Sequence, residues 1–438
     1  MNRFALLIAC AMALGTGACS KTEAPASAAA GSDAKPSESK SAGTLPSDPT
    51  QAAIARGQYL AAAGDCYACH TQRGQAAFAG GLEMATPFGR LYSPNITPDK
   101  ETGIGTWSAD DFWRSMHEGK GKDGSLLYPA MPFTNYTKVT REDSDAIYAY
   151  FMSVQPVQRK NRPHEMSFPF NQRELLAGWR TLFFKQGVFV PDPKQTAAWN
   201  RGAYLVEGLG HCNACHAQRN MLGAIKSDDD YSGGLIPVQN WYAPALTSSR
   251  ETGLGDWDEK EIVDLLRTGV SERGAVFGPM AAVVQHSLQA MSMVDLTAMA
   301  TYLKAQSEKK QSAPLLQSGV PEALTEAMMK SGAKVYKDHC EKCHQAKGQG
   351  VPRIYPPLAN NESIAMRNPV NAIRIVLNGG FPPSTEGNPR PYGMPPFYQD
   401  LNDEQIAAVV TFIRQSWGNN APPTWSVEVS RSRGVPAD

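Results

Sequence analysis

Apolar residues recur at helical spacing in four stretches of the chain, and each stretch opens on a capping residue. Ala53, Ile54, Leu60 and Ala61 form a stripe behind Asp48, a favoured N-cap, with Pro49 at the first helical position. Ile147, Tyr150 and Phe151 follow Thr140-Arg-Glu-Asp143. Leu296, Met299, Ala300 and Leu303 follow Ser292-Met-Val-Asp295, and Ile406, Val409, Val410 and Ile413 follow Asn402-Asp-Glu-Gln405. These last three starts each place an Asp or Gln three residues after the cap, then apolar residues every third or fourth position. The pattern predicts one helix opening the ordered part of the chain and three helices that each close a region. Ser20 to Ser47 is different, being rich in Ala, Ser, Lys, Pro and Gly with almost no large apolar side chain. Such a stretch cannot bury a core and predicts a flexible tether over 20–47.

The three closing helices go with a repeat. Arg56-Gly57-Gln58-Tyr59-Leu60 matches Arg201-Gly202-Ala203-Tyr204-Leu205, and Gly80-Gly81-Leu82 matches Gly233-Gly234-Leu235. Glu101-Thr-Gly-Ile-Gly-Thr-Trp107 matches Glu251-Thr-Gly-Leu-Gly-Asp-Trp257, while a third region keeps the plan more loosely with Gly332-Ala-Lys-Val-Tyr336. Each leads into the same five-residue pattern: Cys66-Tyr67-Ala68-Cys69-His70, Cys212-Asn213-Ala214-Cys215-His216 and Cys340-Glu341-Lys342-Cys343-His344. Cys-x-x-Cys-His is the attachment signature of c-type haem. The thiols add to the vinyl groups, and the histidine supplies the proximal nitrogen to iron. On a helical turn, residues three and four apart share a face, so all three side chains reach one porphyrin. A zinc site would need two such pairs close together; here the pairs begin 146 and 128 residues apart. Three haem c groups are therefore expected.

A helix entering each attachment motif and another crossing it is the cytochrome c arrangement. The expected architecture is all-α, with three tandem cytochrome c-type domains over 48–158, 195–310 and 322–420. A connector over 159–194 and a tail over 421–438 complete the chain. Domains of this size cannot build a large core unaided, so the covalent haem supplies much of it.

A second axial ligand is needed in each region. Candidates are methionines in proline-containing loops ahead of the closing helix: Met131 in Tyr128-Pro-Ala-Met-Pro-Phe133, Met280 in Phe277-Gly-Pro-Met280, and Met394 in Tyr392-Gly-Met-Pro-Pro-Phe397. Proline stiffens a loop that carries one side chain to iron. Met116, Met152, Met291 and Met293 compete, but sit in helical patterns and read as packing residues. His/Met ligation closes both axial positions, which favours electron transfer over oxygen or peroxide chemistry. His117, His164 and His286 read as surface or propionate-contact residues. Gly119-Lys-Gly121-Lys-Asp-Gly124 mimics a dinucleotide fingerprint, but a helical pattern precedes it where a strand is required. It reads as the loop leading to Met131.

Lys plus Arg equals Asp plus Glu at 42 each, so charge gives no indication of nucleic acid binding. Six of the eight cysteines belong to the haem motifs, and the others are Cys10 and Cys19. Residues 1–19 read as an export signal, with Asn2 and Arg3 ahead of an apolar run from Phe4 to Leu14 that is too short to span a bilayer. Thr16-Gly17-Ala18-Cys19 resembles a lipobox, which predicts lipidation of Cys19. An acylated Cys19 on a tether anchors the folded part at the periplasmic side of the cell membrane, with inner or outer membrane left open.

The phrases "RGQYLAAAGDCYACH", "AGGLEMATPFG", "YSPNITPDKETGIGTW", "LYPAMPF", "RGAYLVEGLGHCNACH" and "FIRQSWGN" together resemble the triheme cytochrome c subunit of bacterial membrane-bound dehydrogenases. The similarity runs from about residue 50 to 420. It implies a separate catalytic subunit, using a flavin or pyrroloquinoline quinone, that oxidises an alcohol, aldehyde or sugar acid. It also allows for a small accessory subunit. This chain would accept the electrons and pass them to ubiquinone or a terminal oxidase, without being an enzyme by itself. The ligands implied are Cys66, Cys69, His70 and Met131; Cys212, Cys215, His216 and Met280; and Cys340, Cys343, His344 and Met394. The C-terminal amphipathic anchor described for related subunits has no counterpart in the pattern of 421–438. Competing readings are the cytochrome subunit of a molybdenum hydroxylase, a haem peroxidase, and a stand-alone redox carrier.

Overall fold

A computed structural model describes residues 48–227, 229–247, 253–306 and 322–435. The expected export signal, Cys19 and the tether lie outside the described residues. Three helix crossings organise the rest. The helix Pro49–Ala63 crosses Arg141–Ser153, Ala197–Tyr204 crosses Met293–Lys304, and Glu322–His339 crosses Asp403–Arg414. The repeated glycine of each opening helix sits at the crossing. A Cβ on Gly57 would lie 1.9 Å from the Ala146 carbonyl oxygen, on Gly202 2.0 Å from that of Ala298, and on Gly332 2.2 Å from that of Ala408. The backbones touch there, so only glycine fits.

The predicted helix starts are all present. Asp48 caps the first opening helix, accepting from Thr50 N–H at 2.8 Å. Thr140 accepts from Asp143 N–H at 3.2 Å, Ser292 from Asp295 N–H at 3.1 Å, and Asn402 from Gln405 N–H at 2.9 Å. Gln405 also accepts from the Asn402 N–H, closing a capping box in the third region. Asp143 and Asp295 occupy the same position but serve a different purpose. Arg56 and Arg201 donate to them from within their own regions, at 2.8 Å from each Nε. The tyrosines of the repeat then cross over: Tyr204 donates to Asp143 at 2.5 Å, and Tyr59 donates to Asp295 at 2.5 Å. The first two regions are thus paired by a reciprocal exchange of hydrogen bonds. The third region has Ser331, Lys334 and Gln405 at these positions and cannot join it.

Each region has its own apolar cluster, drawn from both crossing helices and a further helix between them. Leu60, Phe112 and Ile147 centre the first, Ala203, Ile262 and Leu296 the second, and Val335, Ile373 and Ile406 the third. The helices Ala109–Glu118 and Glu259–Thr268 carry capping boxes, from Ser108 and Asp258, and stop at left-handed Gly119 and Gly269. Gly119 therefore terminates a helix and does not open one, as expected of the loop that leads to Met131.

The all-α expectation needs amendment, because short strands are present. Glu83–Thr86 and Gly89–Tyr92 form a hairpin that Glu165–Met166 extends, and Gly234–Ile236 pairs with Trp241–Ala243. These runs are four residues or fewer, too short for an alternating pattern to stand out from loop sequence. The connector is also more than a link. It supplies the strand Glu165–Met166 and the helix Leu176–Phe183, and packs on the first region through Phe133, whose ring meets Trp179 and Phe184. The tail folds back as the helix Ser426–Arg433, with Val429 fully buried against the third region.

Candidate haem sites

The three Cys-x-x-Cys-His motifs lie on short helical turns following the opening helices. In each, the histidine is fixed by one local device. His70 Nδ1 meets the Pro94 carbonyl at 2.8 Å, His216 Nδ1 that of Pro244 at 2.6 Å, and His344 Nδ1 that of Pro356 at 3.1 Å. A carbonyl can only accept, so Nδ1 carries the proton and the lone pair is left on Nε2. Burial lowers the affinity of all three imidazoles for a second proton, which keeps them neutral and able to coordinate.

A glycine with positive φ holds the proline carbonyl in place. Gly80, Gly233 and Gly350 have φ of 71°, 82° and 66°. Each donates its N–H to the carbonyl of the motif histidine, at 2.8, 2.9 and 3.0 Å respectively. A Cβ would fall 2.4 Å from the carbonyl carbon of Pro94, 3.1 Å from that of Pro244 and 2.9 Å from that of Pro356. Histidine, glycine and proline thus form a closed backbone cassette repeated three times. Sequence reasoning missed it, although the matching Gly-Gly-Leu segments were its visible trace.

The six motif cysteines are unpaired thiols. Burial pushes Cys66, Cys212 and Cys340 up to about 12. The chemistry of this donor set, two thiols beside a neutral imidazole with Nε2 free, fits covalent haem c.

The methionine candidates are all partly buried. Met131 packs with Cys66 on the first apolar cluster. Met394 exchanges backbone hydrogen bonds with Gly380, at 3.0 and 2.8 Å. Met280 differs from expectation, because it lies in the first turn of the helix Pro279–His286 and not in a loop. Pro279 at the first helical position explains the start. Of the competitors, Met116 and Met291 are buried packing residues, and Met293 is exposed on a closing helix. His117 is not on the surface: it is buried, stacked on Trp113 at 4.3 Å, with Nδ1 2.8 Å from the Thr137 carbonyl.

A single, largely apolar cavity of about 430 Å³ connects the second and third motifs. Cys212, Cys215, His216 and Met280 line it together with Cys340, Cys343, His344 and Met394. Met291 does not line it, which distinguishes it from Met280. The first motif meets the second elsewhere. Tyr67, between Cys66 and Cys69, packs its ring 5.0 Å from His286, on the helix that carries Met280. Asp65 adjoins both motifs: it precedes Cys66 and lines the cavity beside Cys215, with Oδ1 buried and, among the described residues, without a hydrogen-bond partner. The second motif therefore stands between the other two.

Helices crossing over Cys-x-x-Cys-His motifs whose histidines are fixed through Nδ1 define a c-type cytochrome. In agreement, the cytochrome c family profile matches residues 54–155 and 329–417. The chain is 44% identical to the gluconate 2-dehydrogenase cytochrome c subunit of Pantoea cypripedii, over 85% of this chain and 87% of that one. It is 39% identical to the alcohol dehydrogenase (quinone) cytochrome c subunit of Gluconobacter oxydans, over 89% and 84%. A nicotinate dehydrogenase subunit of Pseudomonas putida is 42% identical over 88% of this chain, which spans 32% of that longer protein. The chain belongs to the family of dehydrogenase cytochrome c subunits.

Proposed function

We propose that this chain carries three haem c groups in three tandem cytochrome c-type domains, and relays electrons from the catalytic subunit of a dehydrogenase. The threefold histidine–glycine–proline cassette carries this reading, because each copy presents one neutral Nε2 beside two thiols. Cys66 and Cys69, Cys212 and Cys215, and Cys340 and Cys343 hold the groups. His70, His216 and His344 would each bind one haem iron, with Met131, Met280 and Met394 as the second ligands. Held by this donor set, haem c would supply one-electron redox chemistry.

The protein's part is to hold and insulate. Pro94, Pro244 and Pro356 keep each imidazole oriented, and their acceptor carbonyls raise its basicity toward iron. The Asp143–Tyr204 and Asp295–Tyr59 bonds hold the first two sites at one separation. The apolar wall shared by the second and third sites lowers the local dielectric and limits reorganisation of solvent. The relatives' names support a catalytic dehydrogenase subunit as electron donor. Ubiquinone or a terminal oxidase is the proposed acceptor, with a lipid on Cys19 anchoring the chain at the periplasmic side of the membrane and a small accessory subunit completing the complex.

Three measurements test this reading. Intact mass of the mature chain should show three added haems; one or two would refute the count. In a redox titration, Met131→Ala, Met280→Ala and Met394→Ala should each lower one midpoint potential while haem stays attached. Unchanged potentials would remove that methionine from the ligand set. Affinity purification of a tagged chain from its native host should recover a catalytic dehydrogenase subunit, and its absence would overturn the relay partner.

A further inference from the structure

The connector combines an excess of positive charge with exposed apolar side chains. Between 159 and 194 it holds seven Lys and Arg against three Asp and Glu, in a chain whose total charge is zero. It also exposes large apolar side chains: Phe168 at 80%, Leu182 at 71% and Val190 at 81%. Leu175 and Leu182 fall at i and i+7, so they share one exposed side of this helical segment. Trp179, Arg180 and Phe184 face inward onto Phe133, where the Arg180 guanidinium lies over the rings of Phe133 and Phe184.

A loop of the second region extends this face. Trp179 Nε1 donates to the Leu222 carbonyl at 3.0 Å, next to Met221, which is 94% exposed. Phe88 joins the two ends, packing 4.6 Å from the Phe170 ring on one side and against Gly223 on the other. Lys160, Lys185 and Lys194 are exposed and form no ion pair with any of the described residues.

We propose that this face, formed by the connector and the Met221–Leu222 loop, seats on an anionic phospholipid bilayer. Exposed Phe and Leu suit the boundary between headgroups and acyl chains, and unpaired lysines match anionic headgroups. The cores of protein interfaces are depleted in lysine, so charge favours lipid over a protein partner. No helix among the described residues is long and apolar enough to cross a membrane, so the contact is peripheral. It goes beyond the relay reading and does not depend on it, because no dehydrogenase enters the test.

The test uses the haem-loaded full chain with Cys19→Ser, which removes the expected acylation site. Sedimentation with vesicles of phosphatidylglycerol and phosphatidylethanolamine should capture at least tenfold more protein than phosphatidylcholine vesicles. The Phe168→Asp/Leu182→Asp pair should abolish most of that capture with an unchanged haem spectrum, and 0.5 M salt should weaken it. Val294→Asp, at an exposed apolar position on the second closing helix, should bind as the parent does. Equal capture by neutral and anionic vesicles would overturn the proposal, as would capture unaffected by the paired substitution.

Discussion

Replacing Asp143 by alanine removes a carboxylate that is almost fully buried and that holds two regions together. It accepts from Tyr204 at 2.5 Å and from Arg56 Nε at 2.8 Å. A hydrogen bond to a buried charge contributes about 1.5–3 kcal/mol. The Arg56 side chain is half exposed, so its ion pair counts at the low end, about 0.5–1 kcal/mol. Asp143→Ala should therefore cost about 3 kcal/mol, and Tyr204→Phe about 2 kcal/mol, since the ring stays packed and only the hydroxyl is lost. The two losses share one bond, so the double variant should fall short of their sum by about 2 kcal/mol. Denaturant unfolding of the haem-loaded protein, followed by the Soret band and tryptophan fluorescence, gives each value. The mirror cycle, Asp295→Ala with Tyr59→Phe, should show coupling of the same sign. A coupling below about 0.5 kcal/mol in both cycles is what independent sites show, and would refute the exchange as a stabilising contact.

Three further outcomes follow from particular positions. Gly202→Ala forces a methyl to within 2.0 Å of the Ala298 carbonyl and should cost about 3 kcal/mol or prevent holoprotein accumulation, whereas Gly178→Ala, with open space around it, should be neutral or slightly stabilising in a melting experiment. Burial pushes the Asp295 carboxyl up, but the Arg201 guanidinium and the Tyr59 hydroxyl outweigh it and hold the group below its ordinary value. Its contribution is therefore present above the unfolded value of about 3.9 and lost as pH falls through the depressed folded value. Melting from pH 6 to pH 2.5 should thus fall further for the parent than for Asp295→Asn, and parallel curves would exclude the effect. Asp65 behaves in the opposite sense, since burial pushes it up to about 7. The ionised form is penalised in the folded state, so Asp65→Asn should raise the melting temperature above pH 7, with the gain fading toward pH 4; a gain independent of pH would contradict it.

Much of this is legible in the sequence, because the chemistry is local. Cys-x-x-Cys-His is read within five residues, and the starts at Asp48, Thr140, Ser292 and Asn402 are set by caps and apolar periodicity close by. Relations between distant segments are not legible. Asp143 and Asp295 look like ordinary helix-start residues, and only the fold shows each one bound by a tyrosine from another region. A signal exists: Arg-Gly-x-Tyr-Leu and the aspartate occur together in two regions and are absent together from the third. The prolines that orient the histidines are hidden for the same reason. Pro94, Pro244 and Pro356 lie 24, 28 and 12 residues past their histidines, so no fixed spacing marks them. Met280 reads as a loop residue because Gly278-Pro279 looks like a break, whereas proline at that position begins a helix. The strands and the connector helix are too short for periodicity to reveal them.

The reciprocal exchange also affects how the chain tolerates change. Two separate proteins joined by the same pair of bonds would depend on concentration, and losing one arm would let them drift apart. Within one polypeptide the effective concentration of each half for the other is set by the connector, in the millimolar range typical of tethered partners. A lesion at Arg56, Tyr59, Arg201 or Tyr204 should therefore register as lowered stability long before it registers as separation. The first two sites behave as a tethered dimer that dilution cannot dissociate, while the third, lacking the arginine, tyrosine and aspartate, is free to diverge in sequence without disturbing that pair.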